Sequence, residues 1–584
     1  PRLPIPTLAQ TAERYLASLK PVLTETEWAK SSPIVKDFVR PGGEGERLQG
    51  LLQAYDRTQP TTWLDAWWLQ CAYLEWREPL PVNSNYYIVG RDDPNQPPFQ
   101  PPTVGGTFTP FQIRRAAHLI NEALNYLEVI EQGRIPIEKG RQGAICMDQY
   151  YRMFGSTRIP RPGRDEIRRI SPALSMQHIT VLVKDQVYRV PVFAQAEPAS
   201  PIRLAEGDIE DQLWAIIQDV ERATTLDPPV SVLTGDQRDS WAENYAYLRG
   251  LSPINAEALD SIETALFMVC LDDFSQGEKY NDSIHNMMIG RNGHNRWFDK
   301  TVQIIVESSG RAGLNGEHAP CEALIPAYFF DYLLNIPTRY PDVIPRSNHR
   351  YSAPRRLRFQ TDAHIHGMIQ RAQAVITNLQ RASQVTRINF EQYGNNFIKR
   401  VAKMGPDAYV QMALQLAYYR VHGHTTPTYE TGSTRKYFRG RTETVRVLTT
   451  EAAAFVEAFG RQPGQVPSAS DKKKVEHLYE ALRRATTQHT RLASQAAEGQ
   501  GVDRHLLGLK LAALKLSTTP ATTLHPIFTD PAFTASTTWR LSTSSIHEGL
   551  NLIVAGFGCV VPEGGYGINY MKENERMKFG IEGK

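Results

Sequence analysis

The chain has 584 residues, a length that allows two to four domains or two large ones sharing an interface, and its 41% hydrophobic and 22% charged residues are ordinary for a globular protein. A formal net charge of +3 is close to neutral for this size and gives no reason to expect nucleic acid as a partner. The five cysteines are widely spaced and form no CxxC pattern, and no run of 18 apolar residues occurs, which argues against a disulfide framework, a structural zinc site and a membrane-spanning helix.

The first part of the chain is predicted to be mainly helical. Apolar residues at helical spacing predict helices over parts of 8–80 and at 109–132, 205–224, 238–249 and 255–269. A Pro- and Gly-rich loop is predicted at 91–110. Alternating apolar residues predict a β hairpin with strands at 178–183 and 187–193, and a further strand at 301–307.

A long amphipathic helix is predicted at 361–384, and we place the boundary between two halves just before it. The predicted domains are therefore 1–360 and 361–584, with the first helices expected to pack on the other half. The second half is predicted to contain a loop at 461–469, helices at 405–420, 448–460, 470–497 and 503–516, and strands at 539–544 and 552–554. Helices that alternate with scattered strands predict an α/β fold.

His318 is the most informative single residue. It follows the predicted strand at 301–307 on a short Gly-containing loop, which favours a position facing a cleft. The pKa of a free histidine lies near neutrality, so the ring can take up and return a proton at cellular pH. Glu322 lies four residues later, within reach of the ring if the segment turns. A structural histidine remains an alternative interpretation of this pattern.

Two segments are rich in hydrogen-bond donors. Ser542 and Ser544 lie two residues apart at the end of a predicted strand, so they share one face and could hold a carboxylate or a developing oxyanion. The segment from Tyr429 to Thr444 combines hydroxyls with Arg435, a combination that suits a small carboxylate. The alternatives are a polar strand end and a solvated hairpin.

Charged residues mark two further candidates. Asp503 is expected to cap a strongly apolar helix, which leaves Arg504 free to pair with an anion or a structural acid. Lys399 and Lys403 lie four residues apart and are expected on one helical face, where they could meet phosphates or solvent. The two histidines of His422–His424 lack further ligands at a convincing spacing, so no metal site is predicted.

Short motifs along almost the whole chain form one ordered set: Leu3–Leu8, Cys146–Tyr150, Arg158–Pro160, Gly293–Asp299, Pro406–Gln411, Ala417–Arg420, Tyr429–Thr431, Gly440–Thr442, Asp503–His505, Leu541–Ser544 and Gly565–Gly567. Together they resemble the carnitine/choline acyltransferase family, and the pattern is most similar to its fungal-type carnitine O-acetyltransferase branch. The resemblance implies two similar α/β halves, each like chloramphenicol acetyltransferase, with an active-site tunnel at their interface.

The resemblance also implies a reaction. A short acyl group, acetyl, would pass reversibly between coenzyme A and L-carnitine by direct attack in a ternary complex. His318 would act as the general base, Glu322 would orient it, and Ser544 would stabilise the oxyanion. No covalent acyl-enzyme is expected, so Cys321 need not be a nucleophile.

The remaining site residues follow from the same resemblance. The residues expected to bind carnitine are Tyr429, Thr442, Arg504, Ser542 and Phe557, the last facing the quaternary ammonium. Those expected to bind coenzyme A are Lys399, Lys403, Asp407 and Thr431. Ala555 and Gly556 are expected at the acyl pocket, where their small size leaves a medium-chain preference as the alternative to acetyl.

The expected partners are carnitine and acyl-coenzyme A, with coenzyme A as co-substrate, no permanently bound cofactor and no nucleic acid. The resemblance further implies a monomer in mitochondria, peroxisomes or both, with membrane association at most peripheral. Choline is disfavoured as acceptor because it lacks the carboxylate that the donors of the carnitine site would bind. Two readings of other classes stay open: a noncatalytic acyl-coenzyme A-binding protein on the same fold, and a hydrolase that uses Cys321 or a serine.

Overall fold

The computed structural model describes residues 1–99, 106–140, 143–170, 178–194, 202–347, 349–461, 470–517, 524–546, 549, 551–557 and 562–583. The predicted loop at 461–469 lies outside these ranges except for Arg461, and Cys559 lies outside them as well. No described helix is long and apolar enough to cross a membrane.

The helices account for most of the described regular structure. They are α1 (Leu8–Leu19), α2 (Glu25–Phe38), α3 (Glu44–Thr58), α4 (Asp65–Leu69), α5 (Pro110–Glu131), α6 (Tyr150–Met153), α7 (Glu206–Arg222), α8 (Arg238–Leu251), α9 (Pro253–Glu263), α10 (Tyr280–Ile289), α11 (Leu324–Leu333), α12 (Ala363–Ala382), α13 (Asn395–Arg400), α14 (Pro406–His422), α15 (Thr450–Phe459), α16 (Lys472–Ala497), α17 (Asp503–Lys515) and α18 (Pro531–Thr537). Local signals explain several boundaries, because Thr24 and Thr109 each form a capping box with the residue three positions later. A π-helical turn, Gln70–Leu74, continues α4.

The strands are shorter than the helices and are scattered along the chain. They are β1 (Tyr86–Gly90), β2 (Lys139–Gly140), β3 (Gly143–Ala144), β4 (Ser156–Ile159), β5 (Glu166–Arg169), β6 (His178–Val183), β7 (Gln186–Pro191), β8 (Met268–Leu271), β9 (Gln303–Val306), β10 (Ala312–Gly316), β11 (Arg355–Leu357), β12 (Gln384–Phe390), β13 (Thr428–Ser433), β14 (Thr442–Arg446), β15 (Leu541–Ser545), β16 (Leu552–Phe557), β17 (Tyr566–Lys572) and β18 (Met577–Gly583). The predicted hairpin and the predicted strand at 301–307 are therefore present as β6, β7 and β9. A further strand that was not predicted, β10, lies between β9 and His318.

The first large sheet has the strand order β11-β7-β6-β8-β9-β10-β1-β16. Parallel pairing of β8 with β6 and β9 is combined with antiparallel pairing elsewhere, so the sheet is mixed. Its last strand, β16, comes from the end of the chain and pairs antiparallel with β1, so that Phe557 lies opposite Tyr86. A segment of the predicted second half thus completes the sheet of the first.

The second large sheet has the order β12-β18-β17-β15-β13-β14. Its central strand β15 runs parallel to both neighbours, with Ser542 opposite Tyr429 on β13. Two mixed sheets with helices confirm the predicted α/β fold. The division at residue 360 stays a prediction, because the chain crosses between the two sheets more than once.

The first three helices pack against the end of the chain. One hydrophobic cluster contains Leu19, Leu48 and Leu52 from α1 and α3 together with Leu509 of α17 and Phe528. Apolar side chains of the N-terminal region therefore lose water contact only when the C-terminal helices are in place. Burial of this kind is the main favourable term in folding.

Two local expectations are wrong. The first residue of α17 is Asp503 itself, and its carboxylate accepts hydrogen bonds from Arg446 at 2.8 and 2.9 Å, so an ion pair takes the group that was expected to cap the helix. Helix α13 ends at Arg400, and Lys403 has a positive φ of 57°. Lys403 therefore lies beyond the helix and shares no helical face with Lys399.

The packing of α17 on the first helices gives a stability prediction. Leu509→Ala is expected to lower the free energy of unfolding by about 2–5 kcal/mol, because the side chain is fully buried and its loss leaves a cavity. Leu514→Ala on the same helix is the matched control, since that side chain is 54% exposed and its loss should cost less than about 0.5 kcal/mol. Urea unfolding of both variants measures the difference, and equal effects would contradict this packing.

Candidate active site

A cavity of about 500 Å³ lies where the two large sheets meet the N-terminal helices. Its walls carry side chains from both halves of the chain and are mixed in polarity. The lining residues used below are Trp68, Tyr73, His318, Glu322, Tyr429, Thr431, Arg441, Thr442, Thr444, Arg504, Ser542, Ser544, Ser545 and Phe557. Of the residues predicted to catalyse the reaction or bind carnitine, the structure brings every one to this cavity.

His318 follows the end of β10 and projects into the cavity between aromatic rings. The ring of Tyr73 stacks on it at a centroid distance of 5.3 Å and an interplanar angle of 16°, and Tyr86 contacts it edge-on at 6.3 Å. The His318 side chain is only 13% exposed. A stacked, nearly buried ring has few alternative orientations, so its nitrogens have defined positions in the cavity.

Buried ion pairs anchor the His318 loop on both sides. Glu317 accepts hydrogen bonds from Arg158 and from the backbone N–H of Ala319, both at 3.0 Å. On the other side, Arg441 Nε donates to Glu322 at 2.5 Å, and its other nitrogens donate to the carbonyls of Ala319 at 2.7 Å and His318 at 3.3 Å. The loop therefore has one anchor from β4 and another from the β13–β14 hairpin.

Glu322 acts on His318 through its charge. The distance of 3.8 Å between His318 Nε2 and Glu322 Oε2 is too long for a hydrogen bond. Burial lowers the pKa of His318, and the Glu322 carboxylate partly opposes this by favouring the protonated ring. His318 is therefore neutral at physiological pH, which is the state that a general base requires.

Cys321 is not placed for nucleophilic attack. It is 0% exposed, and burial raises the pKa of its thiol to about 12. The reactive form of a cysteine is the thiolate, which this environment disfavours. The geometry thus argues against the hydrolase reading based on Cys321.

Arg504 forms the centre of a donor-rich corner of the cavity. Its guanidinium donates to Tyr429 Oη at 3.0 Å, to Thr442 Oγ1 at 3.2 Å and to Thr444 Oγ1 at 3.1 Å. One face of the guanidinium lies 3.6 Å from the ring centroid of Trp68. The three residues predicted to hold a carboxylate are thus in direct contact with one another.

Arg504 differs from the neighbouring arginines in its charge balance. Arg441 pairs with Glu322 and Arg446 with Asp503. Within the described ranges, no carboxylate lies at ion-pair distance from the buried guanidinium of Arg504. Burial lowers its pKa, but Tyr429 and the more distant carboxylates of Glu443 and Asp503 raise it above the usual value. A buried cation without an acidic partner is costly, so this corner is suited to an anionic ligand.

From Ser542 to Ser544 the hydroxyl strand β15 presents alternate residues to the cavity, and Ser545, the last residue of the strand, lines it as well. Ser542 and Ser544 both line it, while Thr543 is buried on the other face, where it donates to Tyr429 O and accepts from Gln411. This is the two-residue alternation expected of a strand. Two hydroxyls thus face His318 and the Arg504 corner from the second sheet.

The residues predicted for the acyl pocket lie behind the cavity wall. Ala555 is buried opposite Ile88 in the first sheet. Gly556 lies against Tyr87, where an added Cβ would be 2.3 Å from the ring, so a larger side chain would require Tyr87 to move. Phe557 lines the cavity, whereas Ala555 and Gly556 are not part of its lining.

Only part of the predicted coenzyme A set reaches the cavity. Thr431 lines it, whereas Lys399 and Lys403 are exposed outside. Asp407 lies in the first turn of α14 and pairs with Lys572 at 2.5 Å. Lys399, Lys403 and Asp407 are therefore not part of the cavity lining.

One group of described side chains has the composition of a metal site. Asp407, Glu430 and His489 have ligand atoms within 4.8 Å of one another. His489 Nε2 lies 2.5 Å from Glu430, and Lys572 neutralises Asp407. Burial raises the pKa of Glu430 to about 7. The group is balanced by protein partners, so these contacts explain it without an ion.

The whole chain matches a known family. Residues 3–584 match the family model described as choline/carnitine O-acyltransferase. The chain belongs to this family. The protein is thus an acyltransferase, and the fold and the enzyme class predicted from the motifs are confirmed.

Curated relatives of the acyltransferase fall into two groups. The chain is 34% identical to the carnitine O-acetyltransferase of Columba livia, covering all of this chain and 88% of that protein. It is 33% identical to the choline O-acetyltransferase of Sus scrofa, with the same coverage. Among solved structures, the trichothecene 15-O-acetyltransferase of Fusarium sporotrichioides aligns over 86% of each chain, with 8% identity and a TM-score of 0.36.

Sequence reasoning missed several residues that shape the acyltransferase site. Arg441 belongs to the motif Gly440–Thr442, but no local signal indicates its pairing with Glu322. The sequence indicates only a helix for the segment that contains Trp68 and Tyr73. It indicates only a donor-rich run for the segment that contains Thr444. Their roles depend on contacts between distant parts of the chain, which spacing does not reveal.

The electrostatics of His318 predict a pH profile. Acyl transfer should fall on the acid side with a midpoint below 6.5, the ordinary pKa of histidine, because burial lowers its pKa. Glu322→Gln should move this limb to still lower pH, since this carboxylate is the strongest of the groups that raise the His318 pKa. The measurement is kcat/KM against pH for both proteins, with the exposed Glu480→Gln as control. A limb that stays in place or moves to higher pH would contradict this account.

Proposed function

We propose that the acyltransferase moves an acetyl group reversibly between coenzyme A and L-carnitine in a ternary complex, with His318 as the general base. One observation carries the proposal: a neutral, anchored histidine shares a cavity with Arg504, a buried cation that lacks an acidic partner. The first group suits proton transfer from a hydroxyl, and the second suits a substrate with a carboxylate. Carnitine contains both.

The proposed chemical step uses no covalent enzyme intermediate. His318 accepts the proton of the carnitine hydroxyl while the oxygen attacks the thioester carbonyl. The Ser544 hydroxyl, on the opposite wall, donates to the oxyanion that forms. Collapse releases the coenzyme A thiolate, which takes the proton back from His318. Thiolate and proton together restore the free thiol and the neutral histidine.

L-carnitine is preferred over choline as the acceptor in this proposal. Relatives of both kinds occur at similar identity, so identity does not decide between them. The corner formed by Arg504, Tyr429 and Thr442 supports L-carnitine, because choline would leave the Arg504 charge buried and unpaired. A site built around a polar partner strongly rejects an analogue that lacks it. Phe557 on the cavity wall is the proposed partner of the quaternary ammonium.

Acetyl is the proposed acyl group, and a medium chain is the alternative. The cavity lining includes Phe557 but not Ala555 or Gly556, and this favours a short acyl group. Burial of each further methylene would stabilise binding by about 0.8 kcal/mol, but only if the cavity had space for it. That space would require displacement of the side chains behind the wall. The other alternative is that the protein binds acyl-coenzyme A without catalysis. The comparison of acyl transfer by wild type and His318→Ala distinguishes the two functions.

Coenzyme A is proposed as the co-substrate, with no permanently bound cofactor. A monomeric state and a mitochondrial or peroxisomal location belong to the same proposal and derive from the family resemblance. In this proposal the thioester reaches His318 past Thr431, and its phosphates meet Lys399 and Lys403. The carnitine corner and the coenzyme A arm would then approach the histidine from different sides.

A chain-length series tests the chemistry. Wild-type protein should transfer acetyl and propionyl groups from coenzyme A to L-carnitine with the highest kcat/KM, and His318→Ala should reduce the rate by about 100-fold or more, because it removes the general base. His424→Ala, which alters an exposed histidine, is the control. A maximum at octanoyl would favour the medium-chain alternative, and full activity in His318→Ala would exclude the mechanism.

The carboxylate corner gives an independent prediction. Arg504→Gln should lower kcat/KM for L-carnitine by about 100-fold, since a charge-assisted contact inside a buried site is lost. Activity with choline should stay the same or rise, because the unpaired charge that excludes it is gone. Steady-state rates with both acceptors measure this, with the exposed Arg483→Gln as control. Equal losses for the two acceptors would contradict the assignment.

A further inference from the structure

Lys572 connects the cavity wall to the start of α14. It is the last residue of β17, its side chain is only 16% exposed, and its ammonium group makes two short contacts. It donates to Asp407 at 2.5 Å and to Ser545 Oγ at 2.5 Å. Ser545 lines the cavity directly after Ser544, so the lysine acts on the wall from behind.

The contact with Lys572 determines where the Ser545 hydroxyl proton can point. An ammonium group only donates, so Ser545 Oγ must accept. Within the described part of the chain, no acceptor lies at hydrogen-bond distance for the Ser545 proton itself. Since Ser545 lines the cavity, the described residues leave the cavity as the direction for this proton. Ser545 is therefore a donor held ready for an acceptor on the ligand.

The position of Ser545 indicates which part of a ligand it would meet. On one side lies the reacting centre, with Ser544 and His318. On the other, Lys572 leads to Asp407, which follows the exposed cations Lys399 and Lys403 at the start of α14. A thioester whose phosphates meet these cations and whose sulfur reaches His318 must pass Ser545. The part of acyl-coenzyme A between sulfur and phosphates is the pantetheine arm, which carries two amide carbonyls.

We propose that Lys572 is a positioning residue that holds the Ser545 hydroxyl towards a carbonyl oxygen of the pantetheine arm of acyl-coenzyme A. The inference rests on the proposed function, because it takes coenzyme A as the acyl donor. Lys572 touches no reacting atom; it acts through Ser545. Its ion pair with Asp407 keeps the ammonium in place, and Tyr570 also donates to Asp407 at 3.0 Å.

A simpler explanation for the position of Lys572 is that its charge balances the carboxylate of Asp407. Burial by itself would raise the pKa of Asp407, but the Lys572 ammonium holds that pKa below its usual range. Glu430 and His489 lie on the other side of Asp407, so the lysine also balances a buried group of acids. This role explains the contact with Asp407 but not the contact with Ser545. A test must therefore separate the two contacts.

The experiment compares Lys572→Met, Ser545→Ala and the double variant in the full-length protein. Each single variant should raise KM for acetyl-coenzyme A about twofold to tenfold, the range for one hydrogen bond, with kcat and KM for L-carnitine within about twofold of wild type. The double variant should be no worse than Lys572→Met, because both changes remove the same contact. Lys572→Arg should recover part of the loss. Lys184→Met, which removes a partly buried lysine beside Asp273, is the matched control.

A phosphate-free donor separates positioning from simple charge attraction. With S-acetyl-pantetheine, the KM increase in Lys572→Met should persist, because the arm is still present. An increase seen only with acetyl-coenzyme A would show that the lysine serves the phosphates, and the proposal would be wrong. It would also be wrong if Ser545→Ala had no effect on KM, or if the effects of the two single variants multiplied.

Direct binding keeps this inference distinct from the proposed function. Calorimetry of coenzyme A with each variant needs no acceptor and should show the same weakening. Ser545→Ala leaves the ion pair of Lys572 intact, so it remains informative if Lys572→Met does not fold. If wild-type protein bound coenzyme A but transferred nothing to carnitine, the proposed function would fail while the binding result stood. Unchanged affinity in both variants would overturn the role of Lys572.

Discussion

The site depends on holding a neutral histidine inside the protein in one orientation. A polar ring that is nearly buried gains little from water, and its position has to come from neighbouring groups. Here the loop around His318 is anchored by Arg158 through Glu317 and by Arg441 through Glu322. Buried ion pairs seldom add much stability, but breaking one leaves an uncompensated charge. Their role here is geometric, because any movement of the loop would break an anchor.

A second constraint is the charge of Arg504. Its contacts with hydroxyls and with the face of Trp68 reduce the cost of burial without neutralising the cation. A carboxylate that enters the cavity there would form a charge-assisted contact with a guanidinium that is already buried and held in position. In the unliganded protein, the buried charge of Arg504 therefore costs free energy, and binding of a carboxylate reduces that cost. This is a physical basis for discrimination between substrates that differ by one carboxylate.

Both constraints require that distant parts of the chain assemble together. The Arg441 anchor lies on the second sheet, whereas His318 extends from the first. Strand β16, which comes from the end of the chain, pairs with β1 in the first sheet, and the first three helices pack on α17. The cavity walls are therefore completed only when both ends of the chain have folded. Separate halves would each lack part of the site, so the complete site forms only when the whole chain is folded.

Local patterns predicted most of the longer helices and the strands β6, β7, β9, β15 and β16, because periodicity reflects which face of an element is buried, but they missed other strands of the two large sheets, such as β1, β10 and β17. They also placed His318 after a strand and two serines on one face of another. They could not reveal the pairing of Arg441 with Glu322 or of Arg446 with Asp503, because an ion pair depends on where elements meet in space. The wrong cap at Asp503 has this cause: a carboxylate that could cap its own helix binds an arginine from a neighbouring strand instead. Lys572 is the same case, since its sequence neighbours give no hint of Ser545. Spacing identifies candidate donors, but only their three-dimensional partners determine which protons remain for a ligand.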